Sequence, residues 1–326
     1  MAERAGLRYC PRITQGNVPF RIHTEIKQER EMVDLVRPRR SALYMPASNA
    51  RALEKAKGLA VDAVIIDLED SVAPDGKSDA RAQACAAAKT GGFGDREVLI
   101  RVNGLDTEWG RDDILAAASS GADALCVPKV ESSEQVAAIR GVLGEGGAPA
   151  EMSIWAMIET PLAILNVGKI AQAASSERNP VTVLLLGTND IAKETRAAQT
   201  PDRLPMLMCL SSCVVAARAY NLDILDGVYN NFRDEEGFKR ECAQGRDLGM
   251  DGKTLIHPNQ INPCNEVFSP GEDEVAWAQT VIAAFDEPEN ANKGVINIDG
   301  QMVELLHRDI AQRIVAITNA VAGDAD

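Results

Sequence analysis

From Ser41 onward the chain reads as an α/β protein, a closed (β/α)8 barrel of eight parallel strands with helices outside. Two observations predict it. Eight short runs that are apolar throughout alternate with alanine-rich helical stretches, and strands without a polar face must be parallel and covered on both sides. The first strand-to-helix turn also lacks the GxGxxG spacing of an open dinucleotide-binding sheet.

The strands are, in order, "SALYMP", "AVIID", "EVLIRVN", "ADALCVP", "MSIWAMIE", "TVLLLG", "LDILDG" and "GKTLIHP". Between them "NARALEKAKGLA", "KSDARAQACAAAK", "SSEQVAAIRGVL", "PLAILNVGKIAQAA" and "FKRECAQGRDLG" read as helices, several with apolar residues at three and four spacing. Residues 1–38 mix Pro, Arg and Glu without an apolar period and read as an N-terminal extension, with Met32 as a second possible start. Residues 39–286 hold the barrel, a common size for this fold as one domain. Residues 287–326 open with the polar linker "EPENANKG", pass through a strand-like "GVINIDG", and end in an amphipathic helix from about Glu304. The barrel is complete before this helix begins, so Leu305, Ile310, Ile314, Val315 and Ile317 need a surface on their own barrel or on another subunit.

Of the 326 residues 45% are hydrophobic and only 4% aromatic, which predicts a sizeable and mostly aliphatic core. A formal charge of -14 repels nucleic acid and anionic lipid, so neither is expected as a partner. The longest apolar runs, such as "VTVLLLG", fall far short of the roughly 18 residues that cross a bilayer. With no secretory or transit pattern at the N-terminus, a cytoplasmic protein is expected. The seven cysteines form no CxxC pair and lie mostly inside apolar segments, as buried free thiols do.

Barrels of this kind carry their chemistry at the C-terminal ends of the strands. There the sequence places Ser48 and Arg51, then Asp67, Glu69 and Asp70, then Arg101 and Asn103, then Lys129, Glu159, Asp190, Asp226 and His257. Glu159 and Asp190 follow neighbouring strands, and two carboxylates at one mouth repel unless a cation or a proton lies between them. No cysteine or histidine cluster is near, so hard oxygen ligands suit Mg2+; otherwise each carboxylate pairs with a lysine or caps a helix. Arg101 supplies a fixed positive charge for a substrate carboxylate or an enolate, or a structural pair for Glu69 or Asp70, or both. Arg51 and Lys55, one helical turn apart, form either a phosphate-binding patch or a solvated face. Lys129 reads as a Schiff-base lysine or as a structural ion pair, and His257 as an anchor for the last loop.

Six ordered motifs, "RSALYMPASN", "DLEDSVAPDGKSDAR", "IRVNGLDT", "MIETP", "LGTND" and "KTLIHPNQI", closely resemble the citrate lyase β-subunit-like family, which includes malyl-CoA lyases of the HpcH/HpaI aldolase superfamily. The resemblance spans residues 39–326. It implies a TIM barrel, dependent on Mg2+ with Mn2+ as a possible substitute, that cleaves or forms a carbon–carbon bond in a 3-hydroxyacyl-CoA thioester. Glu159 and Asp190 become the metal ligands, Arg101 the group on substrate and enolate oxygens, Glu69 and Asp70 supporting acids, and Arg51 and Lys55 contacts for the CoA phosphates. It also implies a homotrimer or dimer of trimers whose C-terminal segment forms a lid over a neighbouring subunit. Two positions depart from the pattern: Ala47 replaces a frequent glycine, and Glu304 stands where many relatives carry an aspartate that acts in proton transfer.

The leading expectation is therefore a lyase of the malyl-CoA type, with acyl-CoA and a 2-oxo acid as its small-molecule partners. The alternative is a (3S)-malyl-CoA thioesterase on the same scaffold, in which Glu304 activates water. A CoA-independent pyruvate aldolase and a citrate lyase β-like subunit of a larger complex are the further readings. Retention of Glu159, Asp190 and Arg101 together argues against a purely structural subunit.

Overall fold

The structure is a computed structural model that describes residues 37–323, so all but the last two residues of the expected N-terminal extension lie outside the described residues. The eight expected strands all form: β1 (Ser41–Pro46), β2 (Ala63–Asp67), β3 (Glu97–Arg101), β4 (Ala124–Val127), β5 (Ser153–Ile158), β6 (Val181–Leu186), β7 (Asp223–Asp226) and β8 (Gly252–Leu255). They pair in chain order, and β8 returns in parallel to β1 with Ser41 opposite Lys253, which closes the barrel. The five helical stretches read from the sequence correspond to α1 (Ala50–Ala56), α2 (Lys77–Thr90), α4 (Ser133–Glu145), α5 (Pro161–Gln172) and α8 (Glu235–Asp247). The remaining connections are filled by α3 (Gly110–Ala117), α6 (Thr188–Thr195) and α7 (Leu207–Ala219), and α9 (Ile261–Phe268) follows β8.

Side chains alternate along a strand, and this rule sorts the barrel into two layers. Ile65, Leu99, Cys126, Trp155, Met157 and Leu185 point inward and form one sealed cluster. Val64, Ile66, Ile100, Leu125, Ile158 and Leu184 point outward and join the larger core under the helices. Arg39 closes the N-terminal end of the barrel, donating to Glu97 at 2.7 Å and to Asp223 at 2.7 Å while lying 5.5 Å over the Trp155 ring. The same alternation carries inward pointing on to the C-terminal end. Asp67 lies two residues beyond Ile65, Arg101 two beyond Leu99 and Glu159 two beyond Met157, so the inner layer turns from apolar to charged at the mouth.

Beyond the barrel come α10 (Glu272–Asp286), β9 (Val295–Ile298), β10 (Gln301–Glu304) and α11 (Leu305–Gly323). The strand expected here proves to be one arm of an antiparallel hairpin. Its turn is Asp299-Gly300, with φ of 50° and 84°, the left-handed pair that a two-residue hairpin turn requires. Val281 and Phe285 of α10, Ile296, Val303 and Ala311 make a small separate core, so α11 packs within its own chain as well as presenting an outer face. Arg313 of α11 donates to Asp251 at 2.8 Å, just before β8. Among the described residues no helix is long and apolar enough to cross a membrane. The six described cysteines are free, while Cys10 lies outside the described residues.

Candidate active site

Arg101 is buried at the mouth, 8% exposed. Asp67 and Arg101 are opposite one another in the β2–β3 register, which sets up a two-bond fork: Nε donates to Asp67 Oδ1 at 2.6 Å and Nη2 to Oδ2 at 2.6 Å. The guanidinium holds the Asp67 carboxyl below its ordinary range even though burial alone would raise it. Nη1 lies 2.9 Å from Glu69 Oε2 and 3.7 Å from Asp70 Oδ2, and the Asp70 side chain is 75% exposed. The ring of Tyr44 faces the guanidinium at 4.7 Å. Arg101 is thus both structurally paired, as one reading of the sequence had it, and aimed into the cleft.

Sequence reasoning placed Asp67 in the acidic triplet without a role, yet it is the principal partner of Arg101. Its spacing of two residues from Ile65 was the signal. A second unforeseen group is Lys77, buried at the start of α2. Its ammonium donates to the carbonyls of Leu68 and Glu69, both at 2.7 Å, and to Asn103 Oδ1 at 2.8 Å. These bonds tie the loop after β2 to the loop after β3, and so fix where Glu69 meets Arg101.

Glu159 is 3% exposed and Asp190, in the first turn of α6, is half-buried. Both line one cleft of ≈ 390 Å³ together with Tyr44, Asp67, Asp70 and Arg101. Glu159 Oε1 accepts the Lys129 N–H at 2.8 Å; its other oxygen accepts no hydrogen bond from the described residues. The Asp190 carboxylate forms no hydrogen bond or ion pair with them, so neither the helix-cap nor the lysine-pair reading holds for it. Burial first, and then the nearby Glu69, push the Glu159 carboxyl up to about 7. The Lys129 ammonium lies 3.4 Å from Glu69 Oε1; burial pulls its pKa down, but Glu69, Glu159 and Asp190 outweigh that and raise it. An imine-forming lysine needs the opposite shift.

Among the described residues no three His, Cys, Asp or Glu side chains converge on one point as a ready metal site. What the mouth offers is two carboxylates with open oxygens and a deficit of positive charge around Glu159. That donor set fits Mg2+, which takes one or two protein carboxylates and fills its other positions with water or substrate oxygens.

Other predicted residues lie apart from the cleft lining. Arg51 and Lys55 are exposed on α1, and their side chains make no hydrogen bond or ion pair with the described residues. Glu304 ends β10 and does not line the cleft of its own chain. Asp226 points outward into a buried clasp with Arg203 at 2.8 Å and Lys253 at 3.0 Å. His257 caps the last loop by accepting the Asn259 N–H, as an anchor does.

A closed parallel barrel with carboxylates and a buried arginine at its mouth defines a class of enzymes, and the chain belongs to one family within it: HpcH/HpaI aldolase/citrate lyase, whose model matches residues 40–258. The chain is 47% identical to a protein of Cereibacter sphaeroides named (3S)-malyl-CoA thioesterase, over 89% of this chain and 98% of that one. It is 34% identical to the citrate lyase subunit beta of Leuconostoc mesenteroides subsp. cremoris, over 87% of this chain and 94% of the relative. Among solved structures it resembles CitE of Mycobacterium tuberculosis in complex with magnesium, acetoacetate and coenzyme A, with a TM-score of 0.68 and 25% identity over 86% of this chain and 98% of that one.

Proposed function

We propose that the chain is a Mg2+-dependent enzyme acting on a 3-hydroxyacyl-CoA thioester of the malyl-CoA type, and that its main reaction is hydrolysis of the thioester. The observation that carries the substrate class is the cleft lined together by the open carboxylates of Glu159 and Asp190 and by Arg101. Glu159 and Asp190 would hold the cation, which when bound supplies positive charge to the carboxylate and adjacent oxygen of the substrate. Arg101 serves the oxygen that gains negative charge as the thioester reacts, and Asp67 keeps the guanidinium aimed while it does so. Glu69 and Asp70 support Arg101, and Arg51 and Lys55, both free of acidic partners among the described residues, serve the phosphates of CoA outside the cleft.

The preference for hydrolysis rests on the relatives named thioesterase, which match nearly their whole length. The second reading, carbon–carbon cleavage to an acyl-CoA and a 2-oxo acid, is supported by the citrate lyase subunits in the same family and by the fitness of Arg101 for an enolate. Product analysis separates them. From malyl-CoA, hydrolysis gives free malate and CoA, whereas cleavage gives glyoxylate and acetyl-CoA; turnover unaffected by excess chelator would remove the metal from either.

The chain is further proposed to act in the cytoplasm as a homotrimer or dimer of trimers. Glu304 stands outside its own cleft, while Leu305 and Ile310, 48% and 54% exposed, offer a face to a neighbour. A C-terminal lid laid over the adjacent subunit would bring Glu304 to that subunit's mouth, to activate water or to move a proton.

A further inference from the structure

Lys129 follows β4 with a φ of 49°, in the left-handed region, where a lysine, unlike Asn or Asp, has no short polar side chain to bond its own backbone and offset the strain. The turn is held there from both sides. The Val130 N–H donates to Met157 O at 3.1 Å, Gln135 Nε2 donates to Lys129 O at 3.2 Å, and the Glu131 N–H donates to Gln135 Oε1 at 2.8 Å. Held so, the Lys129 N–H points at Glu159 Oε1, 2.8 Å away. On the other side of that carboxylate stands Gly187, where a Cβ would come within 2.2 Å of Glu159 Oε2 and 2.4 Å of its Cβ. One oxygen is therefore tethered, and the other fills the space that a glycine leaves, beside the backbone that leads through Thr188 to Asp190.

We propose that Lys129 is a positioning residue: its left-handed main chain fixes Glu159 so that Oε2 is the oxygen presented to a cation, and its ammonium is the counter-charge of the cation-free mouth. The proposal rests on the reading of Glu159 and Asp190 as cation ligands. The two halves belong together. Glu69, Glu159 and Asp190 attract the ammonium and so help to hold the strained turn, a neutralisation that a bound divalent cation would supply in its place.

Direct Mg2+ binding, measured by titration calorimetry on the full chain without substrate, distinguishes main chain from side chain. Glycine enters the left-handed region freely and keeps the N–H, so Lys129→Gly is expected to bind Mg2+ as tightly as the unaltered chain or up to about tenfold more tightly, the competing ammonium being gone. Methionine retains the length but lacks the charge that holds the turn, and Lys129→Met is expected to bind about tenfold more weakly than Lys129→Gly as the N–H leaves Glu159. Equal affinity in these two variants overturns the main-chain role. Gly187→Ala tests the same carboxylate from its other side. The φ of -96° at that position suits alanine, but the methyl would overlap Glu159 Cβ as well as Oε2, so the melting transition should fall while the far-ultraviolet circular dichroism stays unchanged, and Mg2+ affinity should fall at least about tenfold. Unchanged affinity there also overturns the proposal. Mg2+ binding absent from the unaltered chain instead removes the ligand reading itself, and the positioning role with it.

Discussion

At the scale of single residues the mouth sets stability against function. The Glu159 carboxyl, moved from 4.5 to about 7, binds its proton more tightly in the folded chain than in the unfolded one. Stability of the cation-free protein is therefore highest below pH 4.5 as far as this group is concerned, and falls by ~3 kcal/mol as pH rises through 7. In chelator, Glu159→Gln should melt above the unaltered chain at pH 8 and close to it at pH 5, and when assayed with Mg2+ it should lose nearly all activity; parallel melting curves at both pH values would contradict this. Asp67 runs in the opposite direction. Its lowered pKa contributes stability that is present above the ordinary carboxylate range and is lost as pH falls through the folded value. Asp67→Asn removes, of the three acids around a guanidinium that is 8% exposed, the one that forms the fork, and is expected to cost about 3 kcal/mol in urea unfolding along with a loss of kcat. An unchanged midpoint would mean that Glu69 alone compensates the charge.

At the scale of elements, alternation along each strand decides which polar residue reaches the mouth and which goes to the wall. Asp226 and Lys253, each 0% exposed, are outward residues of β7 and β8, and they meet Arg203 and Glu241 beneath α8. This clasp fixes α8 and the loop before α7 to the barrel without touching the cleft. Either Lys253→Met or Asp226→Asn alone leaves an unbalanced buried charge, and each should destabilise by about 3–5 kcal/mol. The double variant removes both charges, so its loss is expected to be well below the sum of the single losses, as read by a double-mutant cycle in denaturant. Additive losses would show that the two side chains act separately. The hairpin before α11 is fixed just as locally, by the left-handed Asp299-Gly300 turn.

At the scale of the whole molecule the C-terminal segment has one face spent and one open. Ala311 and its neighbours pack on α10, Arg313 reaches Asp251, and Leu305, Leu306 and Ile310 remain about half exposed. On α5 and α7, Leu165 and Met208 are 83% and 70% exposed, further apolar surface for subunit contact. If Glu304 completes a neighbour's mouth, Glu304→Ala and Arg101→Ala chains, each nearly inactive alone, should regain partial activity when refolded together, since some sites in a mixed oligomer keep both groups. Native mass spectrometry with one of the two chains isotopically labelled establishes that mixed oligomers form. If they form and stay inactive, Glu304 acts within its own chain or has no catalytic part.

Much of this protein was determined by the sequence alone, because the signals are local. A strand buried on both faces must be apolar throughout, so eight such runs announced a barrel. Barrel geometry then made strand ends the place to look, which was enough to single out Arg101, Glu159 and Asp190. The period of two also held the inward direction of Asp67 and the outward direction of Asp226, and the Asp-Gly pair held the hairpin, though none of the three was read. Other features were decided only by the tertiary structure. Arg101 meets Asp67 across 34 residues of chain, and Lys129 meets Glu159 across 30. The open oxygens of Glu159 and Asp190, and the absence of Glu304 from its own cleft, likewise depend on where separate strands and helices come to rest. Local backbone geometry fixes which way a side chain points. Closure of the barrel fixes what it points at, and how far its surroundings shift its charge.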